Sequence, residues 1–218
     1  MNSTDLLTAF RREMNDRTEP YLWPDEEVFG FIDQAQQMFC RRTDGIADAR
    51  SPVTALSVVP NTDWYSLDLS VLQVRQATRA DDGRSLELLT AELARKRGVR
   101  FLPTLVGEAK TVVTGLEPHA VRISPMPNET VTLNLSIYRL PLVAITDAGD
   151  QALEIEPHHH IHLLLWMKHR AYDNQDAEVH DRRKSDEFEA KFYAYCESVK
   201  REQERARRAP GLVAYGGL

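Results

Sequence analysis

The spacing of apolar residues changes twice along this 218-residue chain, and the two changes limit the folds open to it. Near the start, Leu6, Leu7, Phe10 and Met14 recur at helical spacing behind Ser3 or Thr4, either of which suits an N-cap. A second helix is predicted from "WPDEEVFGFIDQAQQMFCRR". Pro24 suits its first position, Asp25, Glu26 and Glu27 face the positive end of its dipole, and Arg41 and Arg42 close it. Val28, Ile32, Ala35 and Phe39 form its apolar stripe. From about Ser51 the period falls to two. "VTALSVV", "WYSLDLS", "VLQVRQA", "AKTVVTG", "HAVRISP" and "TVTLNLSIYRLPL" all alternate as half-buried strands do. Within this region "SLELLTAELARKRG" reads as a short helix closed by Gly98. After Gly149 the helical period returns in "PHHHIHLLLWMKHRAY", and a long last helix follows from Val179 to Arg208. Phe188, Phe192, Tyr195 and Val199 share one stripe of that helix.

Amphipathic helices at both ends of a chain bury their stripes most simply against each other. The expected class is therefore α+β: a helical bundle built from residues 1–50 and 148–208, a small β domain inserted at 51–147, and an extended tail at 209–218. Leu164 joins the stripes of the four expected helices in the bundle core. The tail, "PGLVAYGGL" in its last nine residues, places Leu212, Val213, Tyr215, Gly216 and Leu218 on a glycine-hinged peptide that needs a partner to fold against.

Composition narrows the function. A net charge of −6 is the wrong sign for a general nucleic-acid coat. The longest apolar run, Leu163–Met167, is far short of a membrane span of about 20 residues, so no membrane partner is expected. The first residues lack the apolar core of a secretory signal, and Cys40 and Cys196 are expected to be reduced, packed thiols of a soluble protein made in the cytoplasm. No phosphate-binding loop, dinucleotide fingerprint, zinc-protease helix or serine-hydrolase elbow occurs, so no catalytic residue and no cofactor are assigned. Asp81–Asp82 and Glu26–Glu27 read as solvated charge at a turn and a helix start.

The histidines are the one cluster with ligand chemistry. On an α-helix, His158, His162 and His169 would lie within about 40° of each other, but His169 would sit roughly 10 Å along the axis from His162. Only His158 and His162 would then share an ion, and no third ligand is evident. A metal-dependent enzyme or metal-binding protein centred on that pair is one alternative; rim or interface histidines are the plainer reading. A second alternative is a DNA-binding module using the basic "VKREQERARR" of the last helix.

Taken in order, "YLWPDEEVFGFIDQAQQMFCRRTDGI", "WYSLDLSVLQVRQAT", "TVTLNLSIYRLPL" and "EPHHHIHLLLWMKHRAYDNQDAEVHDRRKSDEFEAKFYAY" resemble the head-to-tail adaptor, or connector, proteins of tailed bacteriophages. In that family a helix starts with an acidic-Pro-x-x-His-x-x-Leu-Leu pattern, which Pro157, His160, Leu163 and Leu164 match; the further histidines depart from it. The resemblance implies a non-enzymatic, cofactor-free virion protein assembled in host cytoplasm into a ring, usually of twelve copies, at the head-tail junction. Its implied partners are copies of itself, the portal, a tail or nozzle protein and genomic DNA in transit. It also implies that the C-terminal tail inserts into the portal.

Overall fold

In a computed structural model, residues 1–102, 104–146, 149–174 and 180–207 are described. The expected tail residues Leu212, Val213, Tyr215, Gly216 and Leu218 lie outside them. The chain is mixed α+β and forms two compact units, one from Met1–Asp44 with the chain from Pro141 onward, the other from Gly45–Leu140.

The first unit holds α1 (Ser3–Met14), α2 (Asp25–Arg42), α4 (Leu163–Asp173) and α5 (Arg182–Arg207). Asn2, not Ser3 or Thr4, caps α1: its side chain accepts from the Asp5 N–H while the Asp5 carboxylate accepts from the Asn2 N–H. Pro24 is the cap residue of α2 rather than its first helical position. Val28, Ile32, Ala35, Phe39, Leu164, Phe192 and Val199 are all buried, whereas Phe188 and Tyr195 are half-buried. Phe188 stacks on Tyr172, with ring centroids 5.9 Å apart. Both cysteines are buried thiols outside any disulfide. Burial pushes the Cys196 thiol up to about 12, which leaves it unreactive at neutral pH. No described helix is long and apolar enough to cross a membrane.

The second unit is built on β10 (Val131–Arg139). Val131, Leu133, Leu135 and Ile137 point inward and are buried, while Thr132 and Asn134 are exposed, as period-two alternation requires. One edge of β10 pairs with β4 (Val71–Arg79); the other pairs with β1 (Ile46–Asp48) and β2 (Ala55–Val58) in turn, all antiparallel. The sheet continues from β4 through β5 (Ser85–Thr90), β7 (Thr111–Thr114) and β8 (Ala120–Ser124) to β3 (Trp64–Ser66). A short parallel pair, β6 (Val106–Gly107) with β9 (Met126–Pro127), lies apart from it.

Two local expectations change here. "SLELLTAELARK" is half strand: β5 runs parallel to β7, and only Ala91–Lys96 is helical (α3), capped by the Thr90 side chain. Sheet pairing overrides the helix propensity of Leu and Glu in β5. The Asp81–Asp82 pair is not merely solvated. The guanidinium of Arg79, whose side chain is 6% exposed, donates to Asp81 (2.6 Å), Glu129 (2.9 Å) and Glu108 (3.3 Å), with Asp82 at 3.7 Å. Hydrogen bonding to Arg79 holds the Asp81 carboxyl down at about 2.

Gly45 opens the second unit at φ +79°, and a Cβ there would come within 2.8 Å of the Arg139 carbonyl oxygen. Gly45→Ala is expected to cost about 1–3 kcal/mol in urea unfolding, against no effect at the unobstructed Gly30, apart from helix propensity. The Asp48 carboxylate, nearly buried, is ion-paired to Arg139. Burial opposes its ionisation, but the N–H groups of Arg50 and Ser51 and the Arg139 guanidinium outweigh this, so its pKa falls well below the ordinary 3.8. A depressed folded-state pKa contributes stability above about pH 4 that disappears as the pH falls below it. Acid unfolding of wild type should therefore steepen below that pH, and Asp48→Asn should flatten the dependence there; parallel curves would refute the assignment.

Candidate functional site

Two neighbourhoods of the helical unit carry its least ordinary chemistry: the link between α1 and α2, and the histidine-rich approach to α4. In the first, α1 ends at Asn15 in the left-handed conformation, and the chain then winds around the Arg11 side chain. Arg11 donates to Asp16 at 2.6 Å and to the Trp23 carbonyl oxygen at 2.9 Å, and also pairs with Asp25. Its guanidinium lies 3.6 Å from the centroid of the Tyr21 ring. Asp16 in turn accepts from the Leu22 N–H at 2.9 Å. Trp23 is buried edge-on against Phe10, with centroids 5.6 Å apart. Each residue of "YLW" thus has a task in one ordered loop. Arg11 was not legible as a buried ion; the signal present in sequence was Asp16 five residues on.

Among the described residues of the segment returning from the second unit, side chains satisfy much of the backbone. Asp33 accepts from the Ile145 N–H at 3.0 Å, and the buried Gln36 accepts from the Glu154 N–H at 3.0 Å. The Glu154 carboxylate accepts from the N–H groups of Leu142 and Val143. Ser3 exchanges hydrogen bonds with Gln151, and Asn2 bridges to Ala152.

This segment leads into the histidines. Pro157–His162 form a 3-10 turn, and α4 begins only at Leu163. At three residues per turn, His158 and His162 diverge by about 120°, while His159 and His162 fall in line. Accordingly His159 Nδ1 lies 2.8 Å from the Tyr195 hydroxyl, and the His162 ring stacks on Tyr195 at 3.7 Å. The expected His158–His162 pair is therefore not brought together as ligands. Among the described residues, the group with metal-ligand spacing is instead Glu156, His158 and His159. Burial, then the neighbouring imidazoles, push His159 down to about 4, so it is neutral at physiological pH. His162 is also lowered, by burial. His160, the residue in the Pro-x-x-His pattern, is 3% exposed and links the chain's start to this turn: Nδ1 lies 2.8 Å from the Met1 carbonyl oxygen and Nε2 2.9 Å from that of Ile155. His169 lies apart, 2.9 Å from the Ser185 hydroxyl.

The aromatic-Leu-Trp loop and the histidine turn thus hold structural positions in the helical unit. A family model described as "SU10 adaptor protein" matches residues 1–214. The chain belongs to this family of phage head-to-tail adaptors. It is a phage structural adaptor protein. Among curated proteins, none matches it.

Removing the Arg11 side chain strands a buried Asp16 carboxylate. Arg11→Ala is expected to lower unfolding free energy by about 3–5 kcal/mol, measured with urea and near-ultraviolet circular dichroism. Arg11→Lys should also destabilise, because an ammonium cannot span Asp16, Asp25 and the Trp23 carbonyl as a planar fork does. A wild-type midpoint in both variants would contradict the role given to this residue.

Proposed function

We propose that this chain forms the adaptor ring of a tailed phage, joining the portal to the tail and lining the channel through which DNA leaves. In this reading the helices of both chain ends make a bundle, and 51–147 is an inserted β domain. Twelve copies close the ring at the head-tail junction after assembly in host cytoplasm. The portal lies above, a tail or nozzle protein below, and genomic DNA passes through without a membrane partner. The protein's task is structural rather than enzymatic.

The family match over residues 1–214 carries this proposal. Charge supports it: at −6, a ring of these chains would not grip the phosphate backbone as a basic channel would. The tail supplies the docking element, with Leu212, Val213, Tyr215, Gly216 and Leu218 entering the portal, because an apolar, glycine-hinged peptide gains order only against a partner.

Native mass spectrometry of the full chain mixed with portal rings tests this. The expected species is portal carrying twelve adaptor copies, and a chain ending at Arg208 should lose at least about tenfold in affinity, the 1.4 kcal/mol equivalent of a few lost apolar contacts. A chain that stays monomeric and ignores the portal would overturn the proposal.

A further inference from the structure

The histidine turn has a feature that adaptor architecture does not require. Glu156, His158 and His159 each present a ligand atom, all within 4.8 Å of one another. The Glu156 Oε2 and His158 Nδ1 atoms are already 3.4 Å apart. Ligand atoms on a tetrahedral zinc, each about 2.0–2.2 Å from the ion, stand roughly 3.4 Å from each other. One pair is thus at coordination spacing, and the third ligand atom lies within 4.8 Å of both.

The third ligand is the one with a built surround. His159 is 8% exposed, its ring 4.7 Å from that of Phe39 and its Nδ1 on the Tyr195 hydroxyl. A partner on one ring nitrogen fixes the orientation of a ligating imidazole, as second-shell groups do in metal sites. Glu156 and His158 are exposed, which leaves an entry path and a fourth coordination position open to water. Glu156 is the extended residue just ahead of the Pro157–His162 turn, which carries both histidines.

We infer that Glu156, His158 and His159 form a surface site for one divalent first-row transition cation of borderline softness, for which zinc is the probe. Two imidazoles and one carboxylate select against magnesium and calcium, which favour all-oxygen shells. The site closes the turn between the return segment and α4 by joining its first acidic residue to its buried histidine.

Isothermal titration of untagged, chelator-stripped full-length protein with zinc chloride tests the inference. One zinc per chain is expected, with no comparable heat from magnesium chloride. His158→Ala and Glu156→Gln should each weaken binding at least about tenfold, the effect typical of disturbing even the outer shell of a metal site. Both replaced side chains are exposed, so far-ultraviolet circular dichroism should match wild type, and His180→Ala, at an exposed residue outside the cluster, should bind as wild type does. Absence of saturable one-to-one binding by wild type, or unchanged affinity in both site variants, overturns it.

Discussion

A buried guanidinium demands partners, and in this protein that demand orders the entry to the helical unit. Arg11 is 8% exposed, and what it recruits is the whole of the α1–α2 link: two carboxylates, a carbonyl and an aromatic face. A charge this deep without them would cost several kcal/mol, so these contacts favour the observed loop conformation. Trp23 is then set against Phe10, and α2 starts where its acidic first turn both caps the helix dipole and completes the ion cluster through Asp25. The stripe of α2 follows from that starting point.

The same economy governs how the chain returns. Among the described residues between Leu142 and Glu154 the backbone amides have few ladder partners, and buried polar groups cannot remain unpaired. Asp33 and Gln36 on α2, Ser3 at the head of α1 and Glu154 itself provide acceptors, so polar residues on otherwise apolar helices act as docking points for the segment. His160 adds a link between the first residue and the turn before α4. Side chain to backbone bonds thus join the first residues and α2 to the segment that leads into α4.

The period of the apolar residues made most of this legible. The alternation in "TVTLNLSIYRLPL" is β10, and Val28, Ile32, Ala35, Phe39, Leu164, Phe192 and Val199 are buried, while Phe188 and Tyr195 on the same expected stripe are half-buried. What stayed hidden has a physical common factor. "SLELLTAELARK" carries leucines that satisfy either period, and only pairing with β4 and β7 decides for a strand as far as Thr90. Arg11 sits on a helix where charge usually means solvent, so its burial depends on a loop that no local pattern announces. On an α-helix His158 and His162 would share a face; Pro157 and four weak helix formers make a 3-10 turn instead, which parts His158 from His162, while Glu156 at its N-cap lies 3.4 Å from His158.

Membership of the adaptor family over residues 1–214 gives this fold a place. A density map of the assembled head-tail junction of the phage that encodes this chain tests the account most directly. It predicts a closed ring of this chain between portal and tail, with helices from both chain ends forming one bundle per copy, the final residues inside the portal and DNA on the axis. A junction in which portal meets tail with this chain absent, or present as scattered monomers on the outer surface, would contradict it.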